Sequence, residues 1–194
     1  MYPDQKTARA LLDEAGQMNP GPWTRHSLVA ARCARAIAER CGLNGEKAFV
    51  LGMLHDIGRR CGVTGIRHAI DGYRFMMELG YDEVARICLT HSFAVKDLAM
   101  GLGRMDFTPE EAQFVQTYLE SCSYDEYDWL MQVCDSIAMA EGVVDMETRM
   151  SDVKRRYGGY PQEKWDRHME LGRYFEERAG MSLKEMTRDV TAEE

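Results

Sequence analysis

The chain reads as an all-helical protein, and three observations predict that class. Apolar residues recur at helical spacing through Leu28, Val29, Ala31, Ala34, Ile37 and Ala38. Residues that start and stop helices punctuate the chain at short intervals. No stretch shows the sustained apolar–polar alternation of a half-buried strand.

The elements follow in order. The Leu28 stripe predicts a helix over 24–41, stopped by Gly42. A second runs over 45–57, with Asn44 as its cap and Gly58 as its stop. A third covers 66–79 and ends at Gly80, and a fourth covers 82–92. Thr108-Pro109-Glu110-Glu111 is a capping box with proline at the first helical position, and it opens a helix to 121. Further helices are expected over 124–141, 147–157 and 161–178. Ser182 with Glu185 marks a last short helix, and the tail from Thr191 to Glu194 is expected to fray. Gly158-Gly159 separates the main bundle from C-terminal covering helices.

A chain of 194 residues suits one domain and can bury a core without disulfide or metal staples. A metal bound here would therefore serve function rather than folding. The 45% hydrophobic content is ordinary, and no apolar run approaches the roughly 20 residues of a membrane span. The first residues lack the apolar stretch of a signal peptide, so the expectation is a soluble, cytoplasmic protein without a membrane partner. A net charge of −8 with no basic face argues against polymeric nucleic acid. A small phosphorylated molecule remains open to an acidic protein whose site carries its own cation. Six cysteines include no Cys-x-x-Cys pair and lie mostly in apolar stretches, as reduced cysteines used as small hydrophobes would.

The chemistry-bearing segment is AFVLGMLHDI, residues 48–57. His55 and Asp56 stand side by side at the end of a helix that is apolar nearly all round. An ionised carboxylate there needs compensation, which a divalent cation supplies. The bland alternative is a helix-end histidine beside a solvated acid. Asp135, alone in WLMQVCDSIAMA, raises the same question. His26 lies near the start of the first long helix, His68 opens the third, and His91 closes the fourth. Imidazole and carboxylate are ligand types for Fe, Mn, Zn, Co or Ni. His68 could instead be a surface histidine and His91 a satisfied core histidine. His168, between charged residues in KWDRHMELGRY, reads as a solvated surface residue.

The order His26, His55-Asp56, Asp135, with LHDIGR around the doublet, resembles the H…HD…D signature of the HD-domain superfamily. That resemblance covers roughly residues 20–145, with covering helices over 146–190. It implies an all-helical core and a metal-dependent phosphohydrolase. His68 and His91 resemble the two extra histidines of family members with a second metal. By that resemblance His26, His55 and Asp135 hold one divalent transition-metal ion, His68 and His91 hold the other, and Asp56 bridges them. Gly159-Tyr160-Pro161 lies after Asp135, out of place for the cyclic-dinucleotide-cleaving branch, so that activity is not assigned.

The expected reaction is cleavage of a phosphate ester or anhydride of a small molecule, a nucleotide being the working choice, by metal-activated hydroxide. Asp56 would orient the nucleophile. Arg59, Arg60 and Lys96 are the candidate phosphate holders, with Lys96 closest in sequence to His91, and Arg67 and Arg25 stand behind them. Met100 to Thr108 is a connecting loop that could also form part of the rim. Two other functions stay open: a mixed-valent di-iron oxygenase, which shares the ligand set, and a non-catalytic regulatory module. Trp165, Tyr174 and Phe175 on the C-terminal helix either cover the core or face a second copy in a homodimer.

Overall fold

Small residues let two helices meet closely at the centre of the molecule. In the computed structural model, which describes residues 1–191, helix α2 (Trp23–Arg40) turns Ala30, Ala31, Ala34 and Ala38 inward, all fully buried. Helix α3 (Gly45–Leu54) buries residues on every side and crosses α2 at Gly52. A Cβ on Gly52 would stand 2.7 Å from the Ala31 Cα, so only glycine permits this approach. Asn44 caps α3, accepting from the Lys47 amide at 3.0 Å.

Around this pair pack α1 (Gln5–Met18), α4 (His68–Glu78), α5 (Asp82–Thr90), α6 (Pro109–Ser121) and α7 (Glu126–Asp135). Helices α8 (Met146–Tyr157), α9 (Gln162–Ala179) and α10 (Leu183–Met186) follow. Among the described residues the protein is all-α apart from a hairpin of two-residue strands, β1 (Ala138–Met139) and β2 (Gly142–Val143), with Ala138 opposite Val143. The main apolar core lies under α1, α2, α3, α5, α7 and α9. A smaller one, around Ile70, Leu89, Phe93, Val115 and Leu119, joins α4, α5 and α6.

Most expected helices form, including the Thr108 and Ser182 capping boxes. Three features differ. The sequence reading assigned no helix to 5–18, yet Asp4 caps one there and Ala8, Leu12 and Ala15 bury its inner face. The expected 45–57 helix stops at Leu54, and Ile57–Cys61 forms a 3₁₀ turn. The expected 124–141 helix starts at Glu126 and ends at Asp135. There the Ser136 hydroxyl donates to the Val133 carbonyl at 2.8 Å and the chain turns into the hairpin. Phe175 is fully buried, and Tyr174 packs edge-on against Trp129 at 5.4 Å, so α9 covers the core. Of the tail expected to fray, residues 192–194 lie outside the described residues.

One further glycine positions the site. A Cβ on Gly58 would stand 1.9 Å from the His68 carbonyl oxygen and 2.4 Å from the Gly72 nitrogen. The 3₁₀ turn after Asp56 thus rests directly on the first turn of α4, which brings His68 beside the doublet.

Candidate metal centre

Three helices end at one place. Asp135 is the last residue of α7, His55 is the residue after α3, and His91 the residue after α5. Helix C-termini carry partial negative charge from unpaired carbonyls, which favours a cation among them. His26 comes from the first turn of α2 and His68 opens α4.

The four imidazoles share one arrangement. Each Nδ1 faces a backbone carbonyl: His26 to Ala138 at 3.2 Å, His55 to Gly52 at 2.7 Å, His68 to Gly65 at 2.7 Å and His91 to Ile87 at 3.0 Å. A carbonyl only accepts, so each Nδ1 carries a proton; a neutral ring then presents its Nε2 lone pair, and at His91 that atom also has the Ser92 hydroxyl at 2.9 Å. Carbonyl partners of this kind hold metal-binding histidines in position. The rings run His26, His55, His91, His68, with centroids 5.3, 5.0 and 5.5 Å apart.

The Nε2 atoms meet the two carboxylates. His26 Nε2 lies 3.0 Å from Asp135 Oδ1. His68 Nε2 is 3.2 Å and His91 Nε2 3.6 Å from Asp56 Oδ1, and His55 Nε2 is 3.9 Å from Asp56 Oδ2. The Nε2 atoms of His68 and His91 face each other at 3.4 Å. Lone pairs confronting one another and a carboxylate need a proton or a metal ion between them. His55 Nε2 and Asp56 Oδ1 are buried without any hydrogen-bond partner. Such orphans are costly in an interior unless they coordinate something. Ligand atoms of His26, His55 and Asp135 lie within 4.8 Å of one another, as do those of His55, Asp56 and His91. The nitrogen and oxygen donor set suits a divalent transition metal.

Protonation states agree with this. Burial pushes His55 down to about 4, against the carboxylate of Asp56. Burial and then the Arg59 guanidinium push His68 down to about 3. Both rings are neutral at pH 7, as ligands must be. Burial alone would raise Asp56, but Arg59, His68 and His55 hold it well below the usual carboxylate range. Desolvation also opposes ionisation of Asp135, where His26, Arg149 and His55 win. Both acids are carboxylates.

A cleft of about 450 Å³ opens over the centre and is lined by His26, Asp56, His68, His91 and Asp135. Arg59 lines it too, its Nε donating to Asp56 Oδ2 at 2.5 Å. The other expected phosphate holders lie elsewhere. Arg60 stacks on Phe75 at 3.9 Å and pairs with Glu14 at 3.5 Å, because a 3₁₀ turn moves each successive side chain by about 120°. Lys96 donates to the Cys122 carbonyl and rides over the Tyr124 ring at 4.6 Å, drawn to the α6–α7 connection. Arg67 is held by Glu111, and Arg25 reaches only Glu141, at 4.0 Å. Leu102 brings the 100–108 loop to the cleft.

His168 corrects another expectation. It is buried, lines the cleft, and its Nδ1 donates to the Lys164 carbonyl at 2.7 Å, with the Tyr160 hydroxyl at 3.3 Å. Sequence reading also missed Arg149, Tyr160 and Lys164 on the same wall. A signal existed: Lys164, His168, Leu171 and Phe175 fall on one stripe of α9, and all four are buried.

The cysteines are free; Cys33, Cys41, Cys88 and Cys134 are buried. Among the described residues no helix is long and apolar enough to cross a membrane. No curated protein and no solved structure matches the chain. Residues 23–140, more than half the chain and including all six clustered side chains, match the family profile of the HD domain. With its helical bundle and its His/Asp cluster, the chain belongs to the HD-domain family, a superfamily of metal-dependent phosphohydrolases that bind divalent metals.

Proposed function

We propose that the protein is a metal-dependent phosphohydrolase cleaving a phosphate ester or anhydride of a small molecule, with nucleotides as the first substrates to try. The observation that carries this reading is the convergence of four imidazole Nε2 atoms and two carboxylates beside one cleft, with His55 Nε2 and Asp56 Oδ1 unpartnered. His26, His55 and Asp135 would hold one ion and His68 and His91 a second, with Asp56 between them. A metal bound there acidifies a coordinated water and polarises phosphoryl oxygens.

The chain's own groups supply the rest. Asp56, ionised and fixed by Arg59, orients the attacking water and accepts its hydrogen bond. The Arg59 guanidinium, lining the cleft, offsets charge that builds on the phosphoryl oxygens. Leu102, Met139 and Met150 give the cleft apolar walls that exclude bulk water from those contacts.

The test begins with protein purified without oxygen or chelator, its metal content measured per chain. Two ions per chain are expected. The loaded protein is then offered nucleoside monophosphates, diphosphates, dinucleotide polyphosphates and simple phosphomonoesters, with phosphate release and dioxygen uptake followed together. Phosphate release that stops on chelation supports the reading. Dioxygen uptake without phosphate release would replace it with a di-iron oxygenase. Failure to hold any of Mn, Fe, Co, Ni or Zn would leave a non-catalytic module.

A further inference from the structure

Every other buried or half-buried cation near the cleft has a carboxylate partner. Arg59 has Asp56, Arg149 has Asp135 and Asp152, and Arg67 has Glu111. Lys164 does not. It is 4% exposed and lines the cleft, yet among the described residues no carboxylate stands within ion-pair distance of its ammonium. Its Nζ donates to the Ser92 carbonyl at 2.7 Å and the Met100 carbonyl at 3.1 Å. An ammonium has three N–H groups, so one donor remains. Ser92 directly follows His91, which fastens this ammonium to the backbone beside the candidate ligands.

Charge balance adds a second argument. Among the described residues Asp135 is the acid whose charge bears on Lys164, and burial still pushes the ammonium down to about 8. A metal ion at Asp135 would claim that carboxylate. Lys164 would then be a buried cation without a counter-charge, a state proteins avoid. An anion brought into the cleft removes the conflict, and α9 supplies the cation from outside residues 23–140.

We propose that Lys164 is a phosphate-binding residue, donating its remaining N–H to a non-bridging oxygen of the substrate's phosphoryl group. On this assignment the HD segment holds the metal, while the C-terminal helix recognises the oxyanion. The ligand class is a phosphate monoester or phosphoanhydride whose phosphate reaches past the metals to α9. The assignment rests on the phosphohydrolase reading.

Calorimetry with inorganic phosphate on the Mn-loaded protein tests it. Lys164→Met removes the charge and the donors, whereas Lys164→Gln removes the charge and keeps an amide for the two carbonyls. Both variants should bind phosphate about tenfold or more weakly. Their Mn affinity in phosphate-free buffer should stay within about twofold of the parent, because no ligand is touched. Lys96→Met should leave both affinities unchanged. Phosphate binding by both Lys164 variants as tight as the parent's would overturn the assignment and leave the phosphohydrolase reading standing. So would loss of the helical circular-dichroism signal in both, which would make Lys164 a structural tether. A parent protein that holds Mn but binds no phosphate would sink both readings together.

Discussion

Asp128, in the first turn of α7, and Asp56, just past the end of α3, are both withdrawn from water, at 0% and 3% exposure. Their surroundings are opposite. Asp128 Oδ1 accepts from Thr90 Oγ1 at 2.7 Å and Arg86 Nε at 3.1 Å, while Oδ2 accepts from Arg86 and from the Asp125 amide at 2.7 Å. It also sits at a helix N-terminus, where negative charge is favoured. Asp56 has Arg59 on Oδ2 and nothing on Oδ1, and it faces imidazole lone pairs at a meeting of helix C-termini. Burial of a charge therefore does not distinguish a structural acid from a functional one. What differs between these two is the tally of unpaired lone pairs.

The comparison can be broken at either acid. The largest effect belongs to Asp128. Asp128→Ala strands the Arg86 guanidinium and should cost about 3–5 kcal/mol, read from urea denaturation, with metal content per chain unchanged. Loss of metal at that position would show that the two acids are not separable. Asp56→Asn should do the reverse. Metal affinity should fall by more than about 100-fold in a competition with a chelator, beyond what loss of an outer partner costs. Unfolding of the metal-free protein should shift far less than for Asp128→Ala.

The smallest effect extends the rule to an imidazole. His168 is buried and satisfied at Nδ1, and burial, then the charge of Lys164, lower its pKa from 6.5 to about 4. Because the folded value lies below the unfolded one, the unfolded chain takes up the proton first. The stability is fully present above pH 6.5 and is lost as pH falls towards 4. Thermal melts of metal-free protein across that window should fall for the parent. His168→Gln should flatten part of the slope, on the order of 2 kcal/mol, and His55 and His68 should supply the remainder. An unchanged slope would mean that His168 is protonated in place.

Local signals carried much of the architecture into the sequence. The capping boxes at Thr108 and Ser182, the stop at Gly80 and the apolar run before His55 are all short-range physics, and each is legible without tertiary contacts. His55, Asp56, His91 and Asp135 stood out because acids and histidines in apolar stretches conflict with burial, whereas His26 and His68 were placed by their order, which resembles the HD-domain signature. What stayed hidden depends on rotation and on distant segments. Arg59 and Arg60 are neighbours, and only the 3₁₀ geometry of Ile57–Cys61 decides that one enters the cleft and the other packs on Phe75. Proximity to His91 in sequence favoured Lys96, yet the chain leaves the site after Ser92, and the lysine of the cleft comes from α9, 73 positions after His91. Helix α1 was missed because its buried face is made mostly of small residues, with Ala8 and Ala15 flanking the single large side chain of Leu12.

The convergence of α3, α5 and α7 at their C-terminal ends has a consequence for the order of events. Each helix end presents the equivalent of about half a negative charge, and Asp56 and Asp135 add two more. Arg59, Arg149 and Lys164 offset much of this charge but leave an approaching phosphate no strong net attraction. A divalent cation is drawn to the same pole and reverses its sign once seated. On the phosphohydrolase reading, loading would then be sequential, with the cation seated before the anion is recruited.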